Sequence, residues 1–154
     1  MSDHRNQLRI YLAAPLFNDM ERSFNARLAA LLEPFSDVFL PQRDGKLMRD
    51  LVRQGMALES ARQLVFEADI DALKRCSHVV AVLDGRTVDE GVAFEIGYAR
   101  ALNKFCIGLK TDDRALLPSG DNPMILAGCH EMFGSVVALV DYLRNDDAWM
   151  RSTG

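Results

Sequence analysis

A chain of 154 residues, 49% hydrophobic and 26% charged, is long enough to bury one sizeable core, and its composition excludes a fibrous or disordered class. The net charge is -4, with acids and bases mixed along the chain. No extended basic patch results, which argues against nucleic-acid polymers and anionic membranes as partners.

Cys76, Cys106 and Cys129 are odd in number, far apart and without CxxC spacing, as expected of reduced thiols in a cytoplasmic protein. His4, His78 and His130 lack metal-ligand spacing, so neither a metal nor a cofactor is expected. The opening MSDHRNQ is no signal peptide, and no apolar run approaches membrane-spanning length. Residues 1–154 read as a single domain without internal repeats.

In chain order, Gln7–Ala14 forms a nearly continuous apolar run, the pattern of a strand covered on both faces. Pro15 blocks its continuation, and Asn18 or Asp19 can cap a helix from about Met20 to Leu32 that Pro34 ends. Asp37–Leu40 is a short second strand running into Pro41–Gly45, a polar loop with the composition of a ligand-contacting turn. Lys46 to Arg75 reads as helical with a break near Gly55. Within its second part, Asp71 pairs by spacing with Lys74 and Arg75 on a charged face. Asp69 instead falls with Val65, Phe66, Ala72 and Leu73, on or beside the apolar face.

Ser77–Leu83 is the clearest strand, β-branched and apolar, and Asp84-Gly85-Arg86 turns the chain into the next helix. That helix, Thr87–Lys104, opens with a capping-box pattern, Thr87 followed three residues later by Glu90. Glu95 lies inside it among Gly91, Val92, Ala93, Phe94, Ile96, Gly97, Tyr98 and Ala99, a run so apolar that the helix is expected to be buried on nearly all sides. A carboxylate taken out of water costs several kcal/mol unless it is paired or put to use, which makes Glu95 a site candidate. Phe105–Leu109 is another buried strand, Thr111–Asn122 a loop, Met124–Ala127 a last short strand, and Ser135–Arg144 the final helix. Asn145–Gly154 is polar apart from Trp149 and Met150 and reads as a tail or docking segment.

Strands alternating with helices give an α/β class, a flavodoxin- or Rossmann-like three-layer sandwich around a mostly parallel sheet of about five strands. Ligands of such sheets bind beyond the carboxyl ends of the strands. Tyr11–Phe17, Pro41–Gly45 and Asp84–Asp89 fall there, with Glu95 on the helix that follows. No GxGxxG between strand and helix and no GxxxxGK[ST] is present, so dinucleotide and P-loop chemistries lack support.

The strand Ile10-Tyr11-Leu12-Ala13-Ala14-Pro15-Leu16-Phe17, Asp69, and Asp89-Glu90-Gly91-Val92-Ala93-Phe94-Glu95-Ile96-Gly97-Tyr98-Ala99 together resemble the nucleoside 2-deoxyribosyltransferase family. The likeness runs from about Leu8 to Met124, and D-x-G-x-x-x-E-x-G-x-A around Glu95 is its most specific part. It implies transfer of a 2'-deoxyribosyl group between nucleobases with retention, without a cofactor, through a covalent bond to Glu95. By the same resemblance Tyr11 donates a hydrogen bond to Glu95, Asp69 lends a proton to the departing base, and Asp89 helps hold the deoxyribose and base. Phe17 and Leu16 are expected to pack on the base face and Gln42, Arg43 or Asp44 to touch its edge, and Ala13 and Gly91 complete the expected substrate contacts. Asn122 and Met124 belong to a short element that reaches a neighbouring subunit's pocket, which implies at least a dimer.

Two rivals stand beside this reading. One is hydrolysis of the N-glycosidic bond of 2'-deoxynucleosides or their 5'-monophosphates. Enzymes of the monophosphate kind resemble one another in a Ser- and Gly-rich loop with a basic residue after the first strand, where this chain has Ala13-Ala14-Pro15-Leu16-Phe17. The other is a non-catalytic module that binds a nucleoside or nucleotide as a signal.

Overall fold

The computed structural model describes residues 8–145, whose backbone is built on a five-stranded, all-parallel sheet. Strands β1 (Leu8–Ala13), β2 (Ser36–Phe39), β3 (His78–Val82), β4 (Phe105–Leu109) and β5 (Glu131–Phe133) lie in the order β2-β1-β3-β4-β5. The chain therefore reverses direction across the sheet between β1 and β3, and the crevice past their carboxyl ends is where such sheets place ligands.

The period of two along each strand sorts side chains between two cores. Ile10 and Leu12 of β1, Val80 and Val82 of β3, and Ile107 and Leu109 of β4 pack with α1 (Asp19–Leu32) and α7 (Val136–Arg144). Tyr11, Ala13, Val79, Ala81 and Cys106 face the other way, toward α4 (Leu58–Arg75) and α5 (Glu90–Ala101). Both faces of the three central strands are thus covered, which is why their sequences read as continuous apolar runs. Parity alone assigns Tyr11 to the face that carries α5.

Several boundaries follow from local chemistry. Asn18 caps α1 through a capping box in which its side chain accepts from Glu21 N at 2.9 Å and Glu21 accepts from Asn18 N. Pro41–Gly45, expected as a loop, is a helical turn, α2 (Pro41–Asp44), started by Pro41 and closed by Asp44, whose Oδ2 accepts from Leu40 N at 2.8 Å. The break near Gly55 is real: α3 (Met48–Arg53) ends just before it, and Gly55 has φ +88°, a conformation that favours glycine. Asp71 does pair with Lys74, at 4.0 Å on the surface of α4.

Three expectations are corrected. The cap of α5 is Asp89, whose Oδ2 accepts from Val92 N at 3.1 Å, and the helix begins at Glu90, not at a Thr87 capping box. Nor is α5 buried on nearly all sides: Val92, Ile96 and Ala99 form one buried stripe at helical spacing, while Phe94 is 53% exposed. Phe94 stands instead on the outer surface between Phe66 and Tyr98, its ring 6.1 and 6.2 Å from theirs. Met124–Ala127 is not a strand but part of α6 (Pro123–Gly128), because Asn122 Oδ1 accepts from Met124 N at 2.9 Å and Pro123 takes the first helical position. The last strand is β5, which pairs Glu131 with Ile107. Gln7, Trp149 and Met150 lie outside the described residues. No described helix is long and apolar enough to cross a membrane.

Candidate active site

Beyond the carboxyl ends of β1 and β3, a cavity of about 490 Å³ opens between α1, the α2–α3 turn, α4 and α5. Glu95 enters it from α5, where it sits three residues after buried Val92 and one before buried Ile96. That position is the edge of the stripe packed on the sheet. Asp69 enters from α4 by the same logic, one residue before buried Ile70 and four before Leu73. Two carboxylates at the edges of neighbouring helices therefore face one space.

Tyr11 lies beneath them, fully buried, its ring stacked on Phe39 with centroids 5.5 Å apart. Its hydroxyl donates to Glu95 Oε1 at 2.6 Å. Burial pushes Glu95 up to about 8; the Tyr11 hydrogen bond opposes the rise, and the charges of Asp69 and Asp89 add to it. Burial likewise raises Asp69, to about 6. Tyr11 is raised as well, first by burial and then by Glu95, so it stays a donor.

Asp69 differs from Glu95 in lacking a donor: its Oδ1 is buried without a hydrogen-bond partner. An orphaned carboxylate oxygen facing a cavity is costly as an anion and far less so as a neutral acid. The α2–α3 turn tightens this environment. A Cβ at Gly45 would stand 3.3 Å from Asp69 Oδ1 and 2.6 Å from Pro41 O, so only glycine lets the turn lie this close.

Asp89 completes the acidic end while capping α5. Gly91 follows on the cavity wall, where a Cβ would come within 3.1 Å of Asp89 Oδ2. Leu16 and Phe17 form the rim from the β1–α1 connection, Phe17 being 74% exposed. Of the expected site residues, Tyr11, Asp69, Asp89, Glu95, Phe17 and Gly91 thus come together.

The others stand elsewhere. Ala13 is fully buried in the core beneath, and Ala14 lines the cavity in its place. Gln42 braces the wall from outside: its Nε2 donates to Arg22 O at 2.8 Å, and its Oε1 accepts from Asn25 Nδ2 at 3.0 Å. Asp44 is spent on Leu40 N and on Arg43, and lines a separate hollow with Arg9 and Cys76. Asn122 lines a third hollow with Val88 and Ile125, and Met124 is 80% exposed on the surface.

Sequence reading missed the cations of the cavity lining, where Arg22, Lys46 and Arg49 join Leu47, Met48 and Val65. Arg22 is held by Leu16 O at 3.0 Å and by Asp19 at 2.5 Å, and Arg49 approaches Asp50 at 3.3 Å. The absence of a basic residue in Ala13–Phe17 therefore does not leave the site without cations. Chemically the cavity offers one carboxyl hydrogen-bonded by Tyr11, a second carboxyl without a donor, an apolar wall and three cations in the lining.

No curated protein matches the chain. Among solved structures, a conserved protein from Enterococcus faecalis V583 is 23% identical with a TM-score of 0.74, covering 90% of this chain and 98% of its own. A 2-deoxyribosyltransferase from Bacillus psychrosaccharolyticus is 23% identical with a TM-score of 0.73, covering 87% and 91%. A CMP N-glycosidase of Clostridium botulinum is 22% identical with a TM-score of 0.58, covering 88% and 98%. These likenesses establish the fold. The family profile for nucleoside 2-deoxyribosyltransferase matches residues 10–145, a span that holds every carboxylate of the cavity, and the chain belongs to that family.

Proposed function

We propose that this protein transfers a 2'-deoxyribosyl group from one nucleobase to another by double displacement. The observation that carries the reading is the 2.6 Å hydrogen bond from Tyr11 to Glu95 in a cavity shared with the unpartnered Asp69. Glu95 attacks the anomeric carbon as the glycosidic bond breaks, and Asp69 gives its proton to the departing base. The sugar is then held as an ester of Glu95. An incoming base attacks the same carbon, its proton returns to Asp69, and two inversions give net retention. Tyr11 favours the ionised form of Glu95, which the attack requires.

Asn122 and Met124 lie outside their own chain's cavity, which supports an assembly of at least two subunits in which each offers this segment to the other's site. Sedimentation at micromolar concentration tests this; a monomer would contradict it. The unpaired thiols of Cys76, Cys106 and Cys129 suit a reducing cytoplasm.

A second reading is favoured by Arg22, Lys46 and Arg49: hydrolysis of a 2'-deoxynucleoside 5'-monophosphate, whose phosphate these cations would meet. Incubation with a deoxynucleoside, or with its 5'-monophosphate, plus a free second base separates the two by chromatography. New nucleoside means transfer; free base and sugar phosphate without exchange means hydrolysis. Binding without either product would leave a non-catalytic nucleoside module.

A further inference from the structure

We infer that Lys110 is a positioning residue, an ammonium group that ties the turn leading to Asp89 to the segment carrying Asn122 and Met124. The inference rests on the transfer reading of the site. Lys110 follows β4, and its backbone N–H donates to Phe133 O at 2.9 Å, which seats it at the carboxyl edge of the sheet. From there Nζ donates to Gly85 O at 2.9 Å and Leu83 O at 3.3 Å, and meets Asp121 Oδ2 at 3.0 Å. An ammonium group has three protons, and these acceptors take all three.

The pair is nearly dry: the Asp121 side chain is 3% exposed and that of Lys110 is 15% exposed. Such a pair has little slack, because either partner alone would be a buried charge without compensation. What it joins has little regular secondary structure and is held by a few side-chain bonds, among them Gly85 N–H to Asp112 Oδ2 at 3.0 Å. Gly85 turns the chain with φ +118°, and residues 111–121 carry one isolated bridge, Leu117 to Gly120, with Leu116 and Leu117 exposed. Asp84 adds a second clip, accepting from Thr111 N at 2.6 Å and Asp112 N at 3.1 Å.

The tethered points sit directly before functional residues. Asp121 precedes Asn122, and Gly85 lies four residues before Asp89, whose carboxylate both caps α5 and faces the cavity. A shift of the turn displaces Asp89 relative to Glu95, and a shift of Asp121 displaces the segment that this reading offers to the neighbouring subunit's site. Lys110 touches no substrate; it acts through both.

The molecule contains its own control. Lys104 precedes the same strand, and its Nζ donates to Lys74 O at 2.8 Å and Cys76 O at 2.7 Å, so the same chemistry stands at the opposite edge of the sheet, away from the cavity. Lys110→Met, Lys110→Arg, Asp121→Asn and Lys104→Met are compared by steady-state transfer kinetics and thermal unfolding. We expect Lys110→Met to raise KM for the deoxynucleoside at least tenfold with kcat changed less than threefold, and Lys110→Arg to recover KM to within threefold of the parent. Lys104→Met should lower the unfolding temperature and leave KM unchanged.

Equal KM in Lys110→Met and the parent overturns the inference, as does a KM rise of the same size in Lys104→Met. Should Lys110→Met not fold, Asp121→Asn decides, since it keeps the shape and removes the charge: raised KM supports the role, unchanged KM overturns it. Failure of the underlying reading would show separately, as absence of exchanged nucleoside from the unmutated enzyme, and would remove this inference with it.

Discussion

The acids and the cations of the cavity lining are built in by opposite means. Glu95 and Asp69 project from the edges of buried stripes on α5 and α4, and Tyr11 belongs to the core beneath them, so their positions are set by packing. Lys46 and Arg49 come from the surface of a short connection and a six-residue helix, exposed and held by little beyond neighbouring polar groups. Burial is what perturbs the acids: Glu95 and Asp69 are both raised by desolvation, whereas Lys46 and Arg49 stay exposed to water. The difference separates tasks. Bond-making groups need a dry and rigid setting, while a wall that only reads a substrate can remain wet.

The strongest way to break the contrast is Glu95→Gln. Turnover should fall about 10⁴-fold or more, as for other nucleophile removals, measured by exchange of base between nucleosides. Retention of more than a tenth of the activity would exclude covalent catalysis at this residue. The same change should stabilise the protein at alkaline pH. Glu95 holds its proton to about 8 when folded but gives it up near 4.5 when unfolded, so native stability falls as pH rises through that window. At pH 9 the Gln variant should unfold on the order of 5 °C higher than the parent by calorimetry.

Asp69→Asn comes next, with a loss of about 10²–10³-fold in turnover. It also sharpens the contrast through pH. One proton must be shared by the acid pair, and only the minor form that carries it on Asp69 reacts, because Glu95 is the more strongly raised of the two: with two protons Glu95 cannot attack, and with none the base leaves unaided. The parent should therefore show a bell with limbs at about 6 and about 8, and Asp69→Asn a single rising limb. A bell that survives the substitution would remove Asp69 from the acid role.

Tyr11→Phe should cost about tenfold in kcat, close to the loss of one hydrogen bond to a charged group. Since the Tyr11 bond lowers Glu95, its removal should move the alkaline limb upward. Smallest of all, Lys46→Met and Arg49→Met should change kcat/KM for a deoxynucleoside less than threefold. A loss above tenfold confined to the 5'-monophosphate would favour the hydrolytic reading.

The acidic end was legible in the sequence because each of its members breaks a local pattern. Glu95 interrupts an apolar helix, Asp69 falls off the charged face that Asp71 occupies, and Tyr11 sets a phenol among Ile10, Leu12 and Ala13 of the first strand. Lys46, Arg49 and Arg22 break nothing: cations on polar faces look alike until the fold turns some of them inward. Gln42 and Asp44 had the right composition for ligand contact, but their hydrogen bonds go to the backbone and to neighbours. Among the elements, β1, β3 and β4 announced themselves by apolar runs covered on both faces. The order of α6 and β5 was lost because Met-Ile-Leu-Ala fits either period, and the decisive signal was the Asn-Pro ahead of it.

Placing Tyr11 on the α5 side by strand parity makes the chemistry hostage to register. One residue inserted or deleted near the start of β1 would present an aliphatic neighbour to Glu95 and turn the phenol into the opposite core, against α1 and α7. Indels in this strand should therefore be tolerated by neither fold nor turnover, and a library selected only for soluble expression should exclude them as firmly as one selected for catalysis.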